Sequence, residues 1–205
     1  MSNIQLPLQI ITKKIVMPGL EVFYPSITYG TNSNAMLRMN QQIINLVNRL
    51  IAEQGYYQEP YTTSVTGYYE LKSNERGVLS LSIINYTYHQ HAAHGLTITK
   101  SLNFDVLTGK NYQLYELFKP DSNYIQVLSD IIKKQIKERD IPVIEEFKEI
   151  RPDQDYYIAD KALVIYFQLY ELSPYAYGMP HFPISVYEIS NLIKENSILD
   201  VMATN

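Results

Sequence analysis

The stretch Leu163–Ile189, LVIYFQLYELSPYAYGMPHFPISVYEI, decides how the fold is read. From Leu163 to Tyr170 the residues are apolar or aromatic on both alternating faces apart from Gln168. That pattern marks a strand covered on both sides inside a sheet, so a core strand is expected over Leu163–Tyr170. Ser173-Pro174 breaks the run, Tyr175-Ala176-Tyr177 and Gly178-Met179-Pro180 make an aromatic loop, and a second strand-like run ends at Tyr187. Neither Pro180 nor Pro183 can donate a ladder hydrogen bond, so the returning segment must begin irregularly or lie on a sheet edge.

Upstream, Tyr156-Tyr157-Ile158 reads as a short strand and Ala159-Asp160-Lys161 as a tight turn into the core strand. A helix opening at Pro120-Asp121 has an apolar stripe of Tyr124, Leu128, Ile131, Ile132 and Ile136 interrupted by Gln135, and Asp140-Ile141-Pro142 stops it. A short helix is expected around Ile144–Phe147. Beyond the returning strand, Val186–Lys194 should close with one or two helical turns, and the tail Leu199–Asn205 should fray.

Toward the N-terminus, Leu8–Val16 and Leu20–Tyr24 read as strands, with Pro25 ending the second. Met36, Met39, Ile43, Leu46, Val47, Leu50 and Ile51 recur at helical spacing, with a cap within Asn32–Asn34 and Gly55 just past the end. The period then becomes two. Strands over Val65–Lys72 and Val78–Tyr88 flank a polar turn Ser73–Gly77 and form a hairpin. In the next strand Leu96, Ile98, Leu102, Phe104 and Val106 alternate with polar residues, the mark of one buried and one wet face. Thr108-Gly109 then turns the chain into a strand over Lys110–Leu114. The class is therefore α+β: a mainly antiparallel sheet with two principal amphipathic helices, in a two-part module of residues 1–92 and 93–205.

Composition narrows the function. The chain has 205 residues, 46% hydrophobic and 19% charged, enough for a substantial core, and its net charge of -4 gives no general attraction for nucleic acid. Cysteine is absent, which removes disulfides and thiolate chemistry. The start, MSNIQLPLQIITKKIVMPG, has no positive region ahead of an apolar one, and no run approaches the roughly 18 apolar residues of a spanning helix. No membrane insertion is expected, and a cytoplasmic location is the expectation from the residues alone. The 19 tyrosines, with no tryptophan, suit both strands and recognition surfaces.

Three sets of residues could carry function. His89, His91 and His94 form an H-x-H-x-x-H cluster that could meet at a hairpin end as a zinc triad, but no carboxylate motif or HExxH accompanies them, so no metal and no cofactor is assigned. Glu171 with a distant aspartate (Asp153, Asp155 or Asp160) could serve a glycan hydrolase, though no G-x-S-x-G elbow or phosphate loop supports an enzyme. The third set is the aromatic loop. Tyr170, Tyr175, Tyr177 and Phe182, with His181 and Pro180, put several amphipathic rings between two strands, where they either face outward for contact or fold back as core cover.

The residues also resemble a family. Ala93-His94-Gly95, Ser101-Leu102-Asn103-Phe104-Asp105 with Thr108-Gly109, Leu114–Phe118, then Tyr166-Phe167, Tyr170-Glu171, Pro174-Tyr175-Ala176 and Gly178 resemble a domain of unknown function. That domain is shared by bacterial anti-sigma-V factors and the non-catalytic region of a peptidoglycan deacetylase. The N-terminal half, with Tyr24-Pro25 and the helix from Asn34, is similar to the smaller deacetylase-associated domain that usually precedes it. The resemblance implies an extracytoplasmic module; in the anti-sigma factor it is a sensor that binds lysozyme. This chain shows neither the span that would carry a signal nor the deacetylase domain, so only the binding role is expected of it. The function expected is a non-enzymatic binding module for a protein or cell-wall glycan, using His94, Tyr170, Glu171, Tyr175, Tyr177, His181 and Phe182.

Overall fold

The computed structural model describes residues 7–203, and within it the chain divides into two compact units, residues 1–111 and 112–205. The division falls later than 92/93 because the strand Leu96–Asp105 pairs along its length with Val78–His89, and so belongs to the first unit. The class is the expected α+β, with five strands in one sheet, three in another, and mainly antiparallel pairing.

In the first unit β1 (Gln9–Met17), β2 (Leu20–Tyr29), β3 (Thr63–Glu75), β4 (Val78–His89) and β5 (Leu96–Asp105) lie in sequence order. β2 and β3 pair in parallel, over Leu20–Val22 only, because helix α1 (Ser33–Glu53) carries the chain across between them. α1 starts where the Asn32 side chain accepts from the Ala35 N–H, and the chain leaves it through Gly55 at φ +82. Its buried face, including Met39, Ile43, Leu46, Val47, Leu50 and Ile51, meets Val22, Val65, Leu79, Leu81, Ile83 and Phe104 in one apolar cluster. Burying side chains of this size contributes about 1.5–3 kcal/mol each, which is where this unit's stability comes from.

Four expectations change here. Pro25 does not end β2. Beyond Val22 that strand has no β3 partner, and Asn40 covers the open side by bonding the N–H and carbonyl of Ile27 at 2.8 and 2.9 Å, so a residue without an N–H is tolerated. The hairpin turn is shorter than Ser73–Gly77: Arg76 and Gly77 (φ 52 and 76) make it alone, with the positive φ at both positions that a tight hairpin favours. The polar face of β5 is not all wet. Thr99 and Asn103 are buried, and hydroxyl and amide groups pair across that side at Ser80–Asn103 (2.7 Å) and Ser82–Ser101 (2.9 Å). The turn at Gly109 (φ +70) forms as expected, but the strand after it shrinks to a single bridge between Phe104 and Asn111.

The second unit opens with a 3-10 turn, Leu114–Leu117, capped reciprocally by Gln113 and Glu116, and continues into α2 (Tyr124–Glu138). Its sheet is β6 (Tyr156–Ala159), β7 (Ala162–Tyr166) and β8 (His181–Ser185), with β7 central. β8 is an edge strand, one of the two placements that Pro183 allows. The Pro183 carbonyl points away from β7 to accept from Gln135 Nε2 at 2.8 Å, and a strand residue's N and O point the same way, so the missing N–H costs no ladder bond. Gln135, which interrupts the apolar stripe of α2, is there to close that edge, and Arg139 does the same at the His181 carbonyl, 2.8 Å away.

No helix forms at Ile144–Phe147, where the Ile144 N–H bonds the Leu172 carbonyl instead. Val186–Lys194 runs as successive turns rather than α-helix. The tail is ordered where fraying was expected: α3 (Ile198–Ala203) seats Ile198, Leu199 and Met202 in the interior, with the Ser197 hydroxyl accepting from Asp200 N. Residues 204–205 of that tail, and residues 1–6 at the other end, lie outside the described residues. Among the described residues no helix is long and apolar enough to cross a membrane.

Candidate functional site

β7 stops at Tyr166, four residues short of the expected Tyr170, and the reason is a carboxylate. Glu171 turns back into the chain. Its Oε2 accepts from the Gln168 backbone N–H at 2.7 Å, while its Oε1 accepts from Gln154 Nε2 at 3.1 Å and from Arg151 Nη1. Gln154, 2% exposed, also donates to the Tyr166 carbonyl at 3.0 Å, and Gln168 Nε2 reaches Asp155 at 2.8 Å. Side chains thus take over the backbone donors and acceptors that a longer strand would have paired.

The turn so formed forces Tyr170 to φ +65. For a bulky aromatic residue this left-handed conformation is a true outlier and costs about 1–3 kcal/mol. The surroundings hold it there with the ring half exposed, 5.5 Å from the Tyr175 ring centroid. A short 3-10 turn, Tyr175–Tyr177, leaves Tyr177 exposed as well, and Gly178 (φ +89) ends it. Beside Tyr170 a groove of 420 Å³ runs between Ile144–Arg151 and Phe167–Leu172, with Ile144 exposed along it. Glu145, Glu146, Glu149 and Glu171, against Lys148 and Arg151, give its lining an acidic balance.

Arg151 is charged at any working pH. Burial pulls its guanidinium downward, but the hydrogen bond and charge of Glu171, and then Asp153, outweigh that and hold it above its ordinary value. With Arg151, Gln154 and the Gln168 N–H all on its oxygens, Glu171 clamps the loop.

The residues singled out by sequence divide accordingly. Tyr170, Tyr175, Tyr177 and Glu171 come together in one loop. Phe182 does not join them at the surface: it is fully buried in β8, edge-on to Phe167 at 5.7 Å and under Arg139, because alternation on that strand turns it inward. His181 is half-buried and stacks on Tyr166 at 5.3 Å. Phe182 is therefore packing for β7 and β8, while His181 keeps part of its surface exposed.

His94 lies in the first unit. It and His89 line a cavity there, but the histidine cluster does not converge. His89 Nδ1 pairs with the Thr63 hydroxyl, His94 Nδ1 donates to the Gly95 carbonyl, and His91 sits exposed in a left-handed turn (φ +69). Among the described residues no three His, Cys, Asp or Glu side chains are placed to hold a metal ion. Sequence reasoning missed Arg151, Gln154 and Gln168, read as connector or strand residues. The signal that could have found them was polar residues flanking an apolar strand too long for its neighbours.

Comparison with known proteins agrees with the fold. Residues 115–187 match the family model described as a protein of unknown function, DUF3298. The anti-sigma-V factor RsiV of Bacillus subtilis (strain 168) is 37% identical over 142 residues, covering 63% of this chain. The chain spans 46% of that relative's length. Among solved structures, a member of the DUF3298 family from Bacteroides fragilis NCTC 9343 is similar at TM-score 0.75 and 14% identity, over 99% of this chain and 100% of the other. A DUF3298 family protein from Pseudomonas aeruginosa PAO1 follows at 0.71 and 12%, over 94% and 97%. At such identities the two structures speak to fold alone. Across residues 115–187 the chain carries a DUF3298 domain, shared with the anti-sigma-V factor.

Proposed function

We propose that the chain is a non-enzymatic recognition module that holds a protein partner through Tyr170, Tyr175 and Tyr177. The observation that carries this reading is Tyr170: a strained backbone, fixed by the Glu171 clamp, that serves to present a half-exposed ring. Strain kept in place by surrounding bonds is characteristic of contact sites, and a ring held in its bound position loses little entropy on association. Tyrosine is also a favoured anchor of protein interfaces. The acidic lining beside it suits a partner with a basic surface, whose approach would weaken as salt is added.

The test measures binding of the purified chain to hen lysozyme, a basic protein implied by the family resemblance, and in parallel to soluble peptidoglycan fragments. Binding to lysozyme that is lost in Tyr170→Gly/Tyr177→Ala, and falls with salt, supports the reading. Binding confined to the glycan fragments would move the partner class from protein to cell wall. Binding to neither, or binding the double variant retains, contradicts it.

A further inference from the structure

The first unit carries an uncharged aromatic surface at one end of its sheet. On β4, Leu81 and Ile83 join the core with α1, so alternation turns Tyr86 and Tyr88 to the opposite face. The register sets Ser64 opposite Tyr88, Thr66 opposite Tyr86 and Tyr68 opposite Ile84, which makes Tyr68 and Tyr86 diagonal neighbours on that face. All three tyrosines are exposed, and Tyr86 and Tyr88, two residues apart on one strand, stand about 7 Å from each other. The end of the Tyr86 ring lies against Gly95, where an added Cβ would come within 2.4 Å of the ring and its hydroxyl, so only glycine leaves the ring room there. Tyr88 continues the band into a groove of 340 Å³ that Pro18, Pro60, Tyr61, Ser64 and Gln90 also line. Tyr61 is 95% exposed, so packing within the chain does not account for its ring.

The hydrogen-bonding groups on this surface all work both ways. Among the described residues, Thr66, Tyr68, Tyr86, Tyr88 and Gln90 make no side-chain hydrogen bond, and each offers a donor and an acceptor at the surface. None of the described residues lining the groove is charged, and the next residues along this face of β3, Glu70 and Lys72, pair with each other. An ion would find no counter-charge here. A polyproline segment, which brings acceptors and no backbone donors, would leave half of these groups unanswered. A pyranose answers both: its hydroxyls donate and accept, and its C–H faces lie flat on aromatic rings. Rings set out along a strand suit an extended chain of sugars, which is the shape a β-1,4 linkage gives.

We propose that this surface binds an extended, uncharged oligosaccharide of β-1,4-linked pyranoses, stacked on Tyr86 and Tyr88 and hydrogen-bonded by Thr66 and Gln90. The site lies in the other unit from the tyrosine loop and stands or falls independently of the reading given for that loop.

The experiment is a ¹H–¹⁵N titration of the full chain with cellotetraose, compared with maltotetraose, whose α-1,4 linkage curls the chain, and with a proline decapeptide. Saturable shifts are expected at the Tyr86, Tyr88 and Gln90 amides with cellotetraose below about 10 mM, and responses about tenfold weaker or less to the other two. Tyr88→Ala should weaken binding about fivefold or more while the melting midpoint holds, because the ring is exposed. Tyr88→Phe, which keeps the ring, should retain binding. Tyr170→Gly/Tyr177→Ala should leave it unchanged, which separates this site from the tyrosine loop. No saturable shift in the wild type, an equal response to maltotetraose or to the proline peptide, or undiminished binding in Tyr88→Ala would each overturn the proposal.

Discussion

The two units solve the same problem in opposite ways. In the first, strands of nine to thirteen residues pair with one another, and one long helix supplies the apolar lid, so backbone ladders and aliphatic burial account for the structure. In the second the strands are four or five residues long, and side-chain amides and charges finish what the ladders leave open. Gln135 and Arg139 close the β8 edge, Ser129 accepts from the Ile150 N–H at 3.0 Å, and Gln154 with Glu171 ties off the end of β7. A ladder admits only standard backbone geometry, whereas a side-chain clamp can hold an outlier. That is why the strained, displayed tyrosine sits in the second unit.

If the contrast is right, the two units should break under different substitutions. The largest effect is expected from Leu50→Ala in the first unit: deleting a fully buried side chain at the helix–sheet contact should cost about 2–5 kcal/mol in chemical denaturation. Next comes Glu171→Ala, which strips partners from Arg151, Gln154 and the Gln168 N–H and should cost about 1–3 kcal/mol. Amide hydrogen exchange should then speed up at Gln168 while the β4 amides keep their protection. Exchange that quickened equally in both units would erase the distinction drawn here. Smaller again, Gln135→Ala should cost about 0.5–1.5 kcal/mol by uncovering the Pro183 carbonyl, a change that Gln135→Glu should not restore because it offers no donor.

The same contrast explains what could be read from sequence. The first unit was legible because its rules are periodic: the spacing of Met39, Ile43, Leu46 and Leu50 gave α1, Asn32 and Gly55 gave its ends, and alternation gave the hairpin. Pro183 likewise limited its segment to an irregular start or a sheet edge, and the edge is what forms. The second unit hides its determinants in residues with no period. Nothing in Leu163–Tyr170 announces that Glu171 will turn back and cut the strand at Tyr166, and Phe182 reads as one more ring of the loop until its strand register places it inside. Likewise Leu199 and Met202 look like part of a loose tail unless Ser197 is recognised as the start of a helix. The aromatic loop was thus legible as a cluster but not as a surface, because exposure there is decided by one left-handed residue and the polar clamp behind it.

The most direct measurement is on Tyr170→Gly. Glycine removes a backbone strain of about 1–3 kcal/mol and a ring contact of about 0.5–1.5 kcal/mol together, so stability should change little. The account predicts a melting midpoint close to that of the parent chain and a large loss of affinity for the partner protein. A marked loss of stability with affinity preserved would show that the ring is there to hold the fold, and would contradict it.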